Sequence, residues 1–207
     1  MKQGGRNYQK ELDRIIRRNE EQGIRPKVVL HACCAPCSSY CMEYLSRYFD
    51  LTLLFYNPNM DTAEEYEKRR AELERLVKEA GFPVKVISRD YDPSPFYAMA
   101  EGLQELPEGG ERCFRCYRLR MREAAKEARE EGADLFTTTL SISPHKNAEK
   151  INEIGEELAK ESGVPFLPSD FKKRGGYLRS IELSREYGLY RQNYCGCIYS
   201  QRQAGMT

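Results

Sequence analysis

Two apolar patterns alternate along the chain. Short continuous runs (Val28-Val29-Leu30, Leu51-Thr52-Leu53-Leu54-Phe55-Tyr56, Val84-Lys85-Val86-Ile87 and Leu135-Phe136-Thr137-Thr138-Thr139-Leu140) read as strands buried on both faces, as in parallel sheets. A shorter run over 164–167 predicts a fifth strand. Between the runs, apolar residues recur every three or four positions, the spacing of amphipathic helices. Helices are predicted over 7–19 (Tyr8, Leu12, Ile15 and Ile16 inward), 38–49 with Ser38 as cap, 62–80 (Tyr66, Leu73, Leu76, Val77), 96–103, 113–130 (Tyr117, Met121, Ala124, Ala128) and 147–161. Gly23 with Pro26, and Gly81, are stop signals. Strands alternating with helices of these lengths predict an α/β fold with a doubly wound parallel sheet. We expect an N-terminal helical extension over 1–26 and one α/β domain over 27–207, with no repeat or low-complexity linker.

Charge changes this picture little. Lys+Arg 33 against Asp+Glu 32 leaves a net charge of +1, so any nucleic-acid contact must come from a local patch. No apolar run approaches the ~18 residues of a membrane span, and residues 1–18 are charged throughout, so a cytoplasmic protein with no membrane partner is expected. In a reducing compartment eight cysteines point to metal ligation or redox chemistry rather than structural disulfides.

The cysteines fall in groups. Cys33, Cys34 and Cys37 follow the first strand, in His31-Ala32-Cys33-Cys34-Ala35-Pro36-Cys37, where an open α/β sheet binds ligands at its carboxyl edge; Cys41 lies just beyond. Cys113 and Cys116, three apart, share one helix face. Two thiols from each group would make four, a set that suits zinc or an iron–sulfur cluster. An adjacent Cys-Cys pair is awkward for one tetrahedral ion, which favours a cluster, with zinc and unligated thiols still open. The radical-SAM spacing fails, because position 40 is Tyr40. Cys195-Gly196-Cys197 places two thiols close enough to oxidise to each other, although a buried pair or metal ligands would show the same spacing. Ser143, His145 and Lys146, between the fourth strand and a helix, suit a phosphate or polar ligand as well as ordinary capping. Near the chain's end, cations including Arg179 and Arg191 interleave with Tyr177, Tyr187, Tyr190, Tyr194 and Tyr199, which suits single-stranded RNA or simply a solvated face.

Taken together, His31-Ala32-Cys33-Cys34-Ala35-Pro36, Phe55-Tyr56-Asn57-Pro58-Asn59, Cys113-Phe114-Arg115-Cys116-Tyr117-Arg118-Leu119-Arg120, Ser143-Pro144-His145-Lys146 and Tyr190-Arg191-Gln192-Asn193-Tyr194-Cys195-Gly196-Cys197-Ile198-Tyr199-Ser200 resemble the cobalamin-independent epoxyqueuosine reductases, over about residues 27–200. The resemblance implies a nucleotide alpha-hydrolase-like (Rossmann-like) fold and the reductive removal of the epoxide oxygen of epoxyqueuosine at the wobble position of tRNA. It further implies Cys33, Cys34, Cys113 and Cys116 as ligands of a 4Fe-4S cluster, and Cys195 with Cys197 as a redox-active pair. Cys37 is near enough to the turn to approach the cluster or an additional iron.

That reaction takes two electrons and two protons, which a dithiol can supply together and a cluster singly. No GxGxxG fingerprint of a nicotinamide or flavin site follows a strand, and the external electron donor is unassigned. Tyr199 and His31 are candidate proton donors. The alternatives are a zinc-stabilised RNA-binding module without catalysis, and an ATP-using tRNA thiolation or ligation enzyme. Against the latter, the phosphate-loop position holds Cys-Cys-Ala-Pro-Cys, with no glycine.

Overall fold

The computed structural model describes residues 6–205, so the first five residues of the expected N-terminal extension lie outside the described part. Four strands, β1 (Lys27–Ala32), β2 (Asp50–Phe55), β3 (Val84–Ser88) and β4 (Leu135–Thr138), pair in the order β3-β2-β1-β4. All three pairings are parallel, with His31 opposite Leu54 on one side and Thr138 on the other. Around them lie α1 (Tyr8–Gln22), α2 (Ala35–Leu45), α3 (Ala63–Ala80), α4 (Ser94–Ala100), α5 (Glu111–Glu130), α6 (Ala148–Ser162), α7 (Gly176–Glu186) and α8 (Ile198–Gln203).

The period of two along each strand divides the core between two faces. Val28, Leu30 and Ala32 of β1, with Leu51, Leu53 and Phe55 of β2, meet Leu12 and Ile16 of α1, Met42 and Leu45 of α2, and Leu73 and Leu76 of α3. The intervening Val29 and Leu54 meet Tyr117, Met121 and Ala124 of α5 and Ile151, Ile154 and Leu158 of α6. Helices on both faces make the sheet doubly wound, as the pattern predicts. Among the described residues no helix is long and apolar enough to cross a membrane.

The helix signals work as capping chemistry requires. Asn7, Thr62 and Asn147 accept from the backbone N–H three residues on, and Gly23, Gly81 and Gly163 close α1, α3 and α6 in the left-handed region. Three expectations are corrected. Residues 164–167 form no strand: Phe166 makes one isolated bridge to Phe136, because Pro165 and Pro168 leave few donors for a ladder. The fourth strand stops at Thr138, whose hydroxyl accepts from Leu140 N (3.2 Å) and turns the chain into a 3-10 turn, Thr139–Ile142. Finally, α2 starts at Ala35, not at Ser38. Cys34 is its N-cap and Pro36 sits in its first turn, while Ser38, one turn inside, donates its Oγ–H to Cys34 O at 2.8 Å.

Candidate active site

The early start of α2 places three thiols together. With Cys34 at the N-cap, Cys37 is the third helical residue, which sets the two side chains next to each other on the first turn. Cys33 ends the strand side of the turn. The Sγ atoms of Cys33, Cys34 and Cys37 all lie within 4.8 Å of one another, Cys33 and Cys34 at 3.8 Å. Thr139 steadies Cys33 by accepting from its N–H (3.3 Å) and donating to its Sγ (3.4 Å). Hydrogen bonds from Cys34 and Cys37 pull the Cys33 thiol well below its ordinary pKa; the same bonds, seen from the donors, push Cys34 up to about 12 and Cys37 well above the usual thiol range. Of the three, Cys33 is the thiol whose environment favours the thiolate, at the positive end of α2.

These thiols form one wall of a cavity of about 590 Å³ at the carboxyl edge of the sheet, beside the switch between β1 and β4. Arg69 of α3, Arg120 of α5, Lys146, Tyr194 and Cys195 complete much of the rest. Cys113 and Cys116 lie on the first turns of α5, outside the three-thiol group and not on the cavity wall. Cys113 accepts from Gly109 N (3.3 Å); Cys116 is buried, its thiol pushed up to about 11 by burial, and it packs with Cys197 and Phe96. Arg120, one turn beyond Cys116, is 2% exposed, and Asn57 Oδ1 accepts from its Nη2 at 2.6 Å. Burial opposes its charge, and the thiols of Cys116, Cys195 and Cys33 more than offset that.

The segment 190–204 straps across the opening. Gly196 holds φ at 110°, a conformation side-chained residues rarely adopt, and a Cβ there would meet Arg69 Nη1 at 3.1 Å. Gly196 O accepts from Asp61 N (3.0 Å), and Cys195 N donates to Ser200 Oγ (3.0 Å), which donates to Glu108 (3.1 Å). Lys68 lies 3.6 Å over Tyr190, Arg69 5.3 Å over Tyr194 and Arg112 4.4 Å over Tyr199, so three of the strap's tyrosines meet cations of α3 and α5. Cys195 reaches the cavity; Cys197 is buried, its thiol pushed up to about 12 by burial and by Cys195.

Of the weaker sequence candidates, Ser143, His145, Lys146 and Arg191 line the cavity. Arg179 does not: it pairs with Glu43 at 2.7 Å and Glu182 at 3.1 Å, tying α7 to α2. His31 is fully buried, its Nε2–H donating to Tyr56 O (3.1 Å) and its Nδ1 meeting the Thr138 hydroxyl (2.9 Å). Burial, with Arg120 nearby, drops its pKa to about 3, so it stays neutral and serves the sheet. Tyr199 packs on Phe96 and Arg112, off the cavity wall. The motif reading passed over Arg69, Arg120 and Asn57 as site residues. A signal for Arg120 was its place four residues after Cys116, on the same helix face.

Clustered thiols beside buried cations fit a soft, thiolate-bound metal centre carrying negative charge. A model of the family described as "Epoxyqueuosine reductase QueH" matches residues 28–203. Curated relatives of that name include those of Staphylococcus epidermidis, 44% identical over 97% of this chain and 87% of the relative, and Streptococcus pyogenes, 40% identical over 97% and 80%. The Thermotoga maritima relative is 37% identical over 84% and 89%. A solved NMN synthetase from Francisella tularensis superposes with a TM-score of 0.49 at 13% identity, over 97% of this chain and 81% of that one.

Proposed function

The chain belongs to the epoxyqueuosine reductase QueH family, and from that premise we propose that it removes the epoxide oxygen of epoxyqueuosine, at the wobble position of tRNA, by a two-electron reduction to queuosine. The observation that carries this reading beyond the family match is the convergence of Cys33, Cys34, Cys37 and Cys195 on one cavity with Arg69, Arg120 and Lys146. A cavity of about 590 Å³ is within the range that takes a small organic group such as a modified nucleoside.

In this reading Cys33, Cys34, Cys113 and Cys116 hold a 4Fe-4S cluster. Cys37, within the three-thiol group, is a ligand to that centre or to an additional iron beside it. When bound, the cluster supplies electrons one at a time. The chain's own groups do the rest. Cys195 and Cys197 stand on either side of Gly196 as free thiols. Oxidised to each other, they release two electrons and two protons, which balances epoxide plus dithiol against alkene, water and disulfide. An external reductant then restores the dithiol. Lys146 and Arg69 present positive charge where the departing oxygen gathers negative charge. Ser143, His145 and Arg191, at the cavity mouth, meet the polynucleotide. His31, neutral and with both ring nitrogens engaged, takes no part in proton transfer.

The test is conversion in cells lacking their own epoxyqueuosine reductase. Mass spectrometry of digested tRNA should show the modified nucleoside losing one oxygen when this chain is expressed. Cys195→Ser and Cys197→Ser should leave the epoxide to accumulate. Anaerobically purified protein should be brown, and colourless protein carrying one zinc would refute the iron–sulfur reading.

A further inference from the structure

Arg120 is a buried charge without a carboxylate. It is 2% exposed, and among the described residues no acidic side chain pairs with it. Its Nη2 donates to Asn57 Oδ1 at 2.6 Å, whereas Nε and Nη1 have no hydrogen-bond partner. A guanidinium out of water is tolerated only where acceptors or an opposite charge meet it. The other cavity cations are placed differently. Arg69 pairs with Glu65 at 2.6 Å, and Lys146, on its loop, is only half-buried. Arg120 alone is both sealed in and unpaired, and it stands between two groups of thiols, lining the cavity with Cys33 and lying beside Cys116.

We propose that Arg120 is a positioning residue for the thiolate-bound centre: its fixed positive charge, buried in the cavity wall beside the thiols with two N–H-bearing nitrogens free to meet a ligand there, raises the centre's reduction potential. The proposal rests on the iron–sulfur reading above. One-electron reduction, by an external one-electron donor, adds one negative charge to the centre and moves no proton. A cation held in a low-dielectric wall favours the reduced form over the oxidised one, and N–H donors aimed at sulfur act in the same direction. Asn57 makes the charge effective by holding the guanidinium in one orientation; its Nδ2 is itself anchored on Ala32 O, 3.0 Å away at the end of β1.

The experiment uses full-length protein purified without air, as wild type and as Arg120→Met, Arg120→Gln and Arg120→Lys. Arg118→Met is the control, because Arg118 lies on the same helix and pairs outward with Glu157. Iron and sulfide are assayed, and the midpoint potential is read from absorbance during a reductive titration. At equal iron content, Arg120→Met and Arg120→Gln should each make one-electron reduction at least tenfold less favourable, which is 59 mV or more to the negative side. Arg118→Met should match wild type. Iron-loaded Met or Gln variants with the wild-type midpoint would overturn the proposal. If both neutral variants lose the cluster, retention by Arg120→Lys supports a requirement for charge, and loss from Arg120→Lys as well would overturn it in favour of simple packing. A colourless wild type would instead fail the iron–sulfur reading itself, so the two failures are distinguishable.

Discussion

Asn57 is the joint between the sheet and the cationic wall, and its removal has a calculable cost. The side chain is fully buried, donating to Ala32 O and accepting from Arg120 Nη2. Asn57→Ala strips both bonds at once. The lost charge-assisted bond is worth about 1.5–3 kcal/mol, and an unpaired buried carbonyl at Ala32 costs about 1–3 kcal/mol more. The expected loss is therefore roughly 2.5–6 kcal/mol, or about 5–24 °C in melting temperature for a chain of this size. Arg120→Met behaves differently, since an apolar side chain of similar volume removes the charge and its unmet donors together, which offsets the cost of about 1–3 kcal/mol of leaving Asn57 Oδ1 without a donor and keeps stability close to wild type. Without the guanidinium, Asn57→Ala forfeits only the bond to Ala32. The double variant should thus be more stable than the sum of the singles by about 1.5–3 kcal/mol. Urea unfolding followed by far-UV circular dichroism measures this, with all four proteins at equal metal content, because a bound centre stabilises the fold by itself. Additivity within about 0.5 kcal/mol would show that Asn57 and Arg120 do not act as a unit and would refute the reasoning.

Other consequences are simpler to test. Gly155 faces Phe166, where a Cβ would lie 2.6 Å from the ring, so Gly155→Ala should cost about 1–3 kcal/mol by overpacking, read as a lower melting temperature with conversion intact. Arg191→Ala should weaken tRNA binding and flatten its salt dependence, whereas Arg179→Ala, already matched by Glu43 and Glu182, should change neither; a filter-binding titration at two salt concentrations decides. Cys37→Ala should lower iron content per chain, whereas Cys41→Ala, whose buried thiol is outside the three-thiol group, should leave it unchanged.

Most of the fold was legible because its signals are local and redundant. β1 and β2 are continuous apolar runs, and α3 and α6 carry both a capping side chain and a terminal glycine. The misread parts are those in which local signals compete. Val164 to Leu167 is apolar enough for a strand, but Pro165 and Pro168 remove the donors a ladder needs, and only the bridge to Phe136 survives. Ser38 is a good capping residue, yet Pro36 is better placed in a first turn than in an approach to one, so the helix begins before it. The earlier start also sets Cys37, expected near the turn, as the third helical residue beside Cys34 and Cys33.

The site shows a different limit. Each motif was visible alone, but what joins them is long-range. Asn57 from the loop after β2 holds Arg120 of α5 and the end of β1, so the Phe-Tyr-Asn-Pro-Asn and Cys-Phe-Arg-Cys-Tyr-Arg-Leu-Arg stretches serve one wall of one cavity. No spacing rule relates residues 57 and 120, and only the parallel order β3-β2-β1-β4 brings their elements together. The C-terminal tyrosines make the same point in reverse. Interleaved cations and rings suit stacked bases, but Lys68, Arg69 and Arg112 each already lie over one face of Tyr190, Tyr194 and Tyr199. Those contacts hold the segment, and with it Cys195, against the cavity, so the aromatic residues are engaged in packing within the chain.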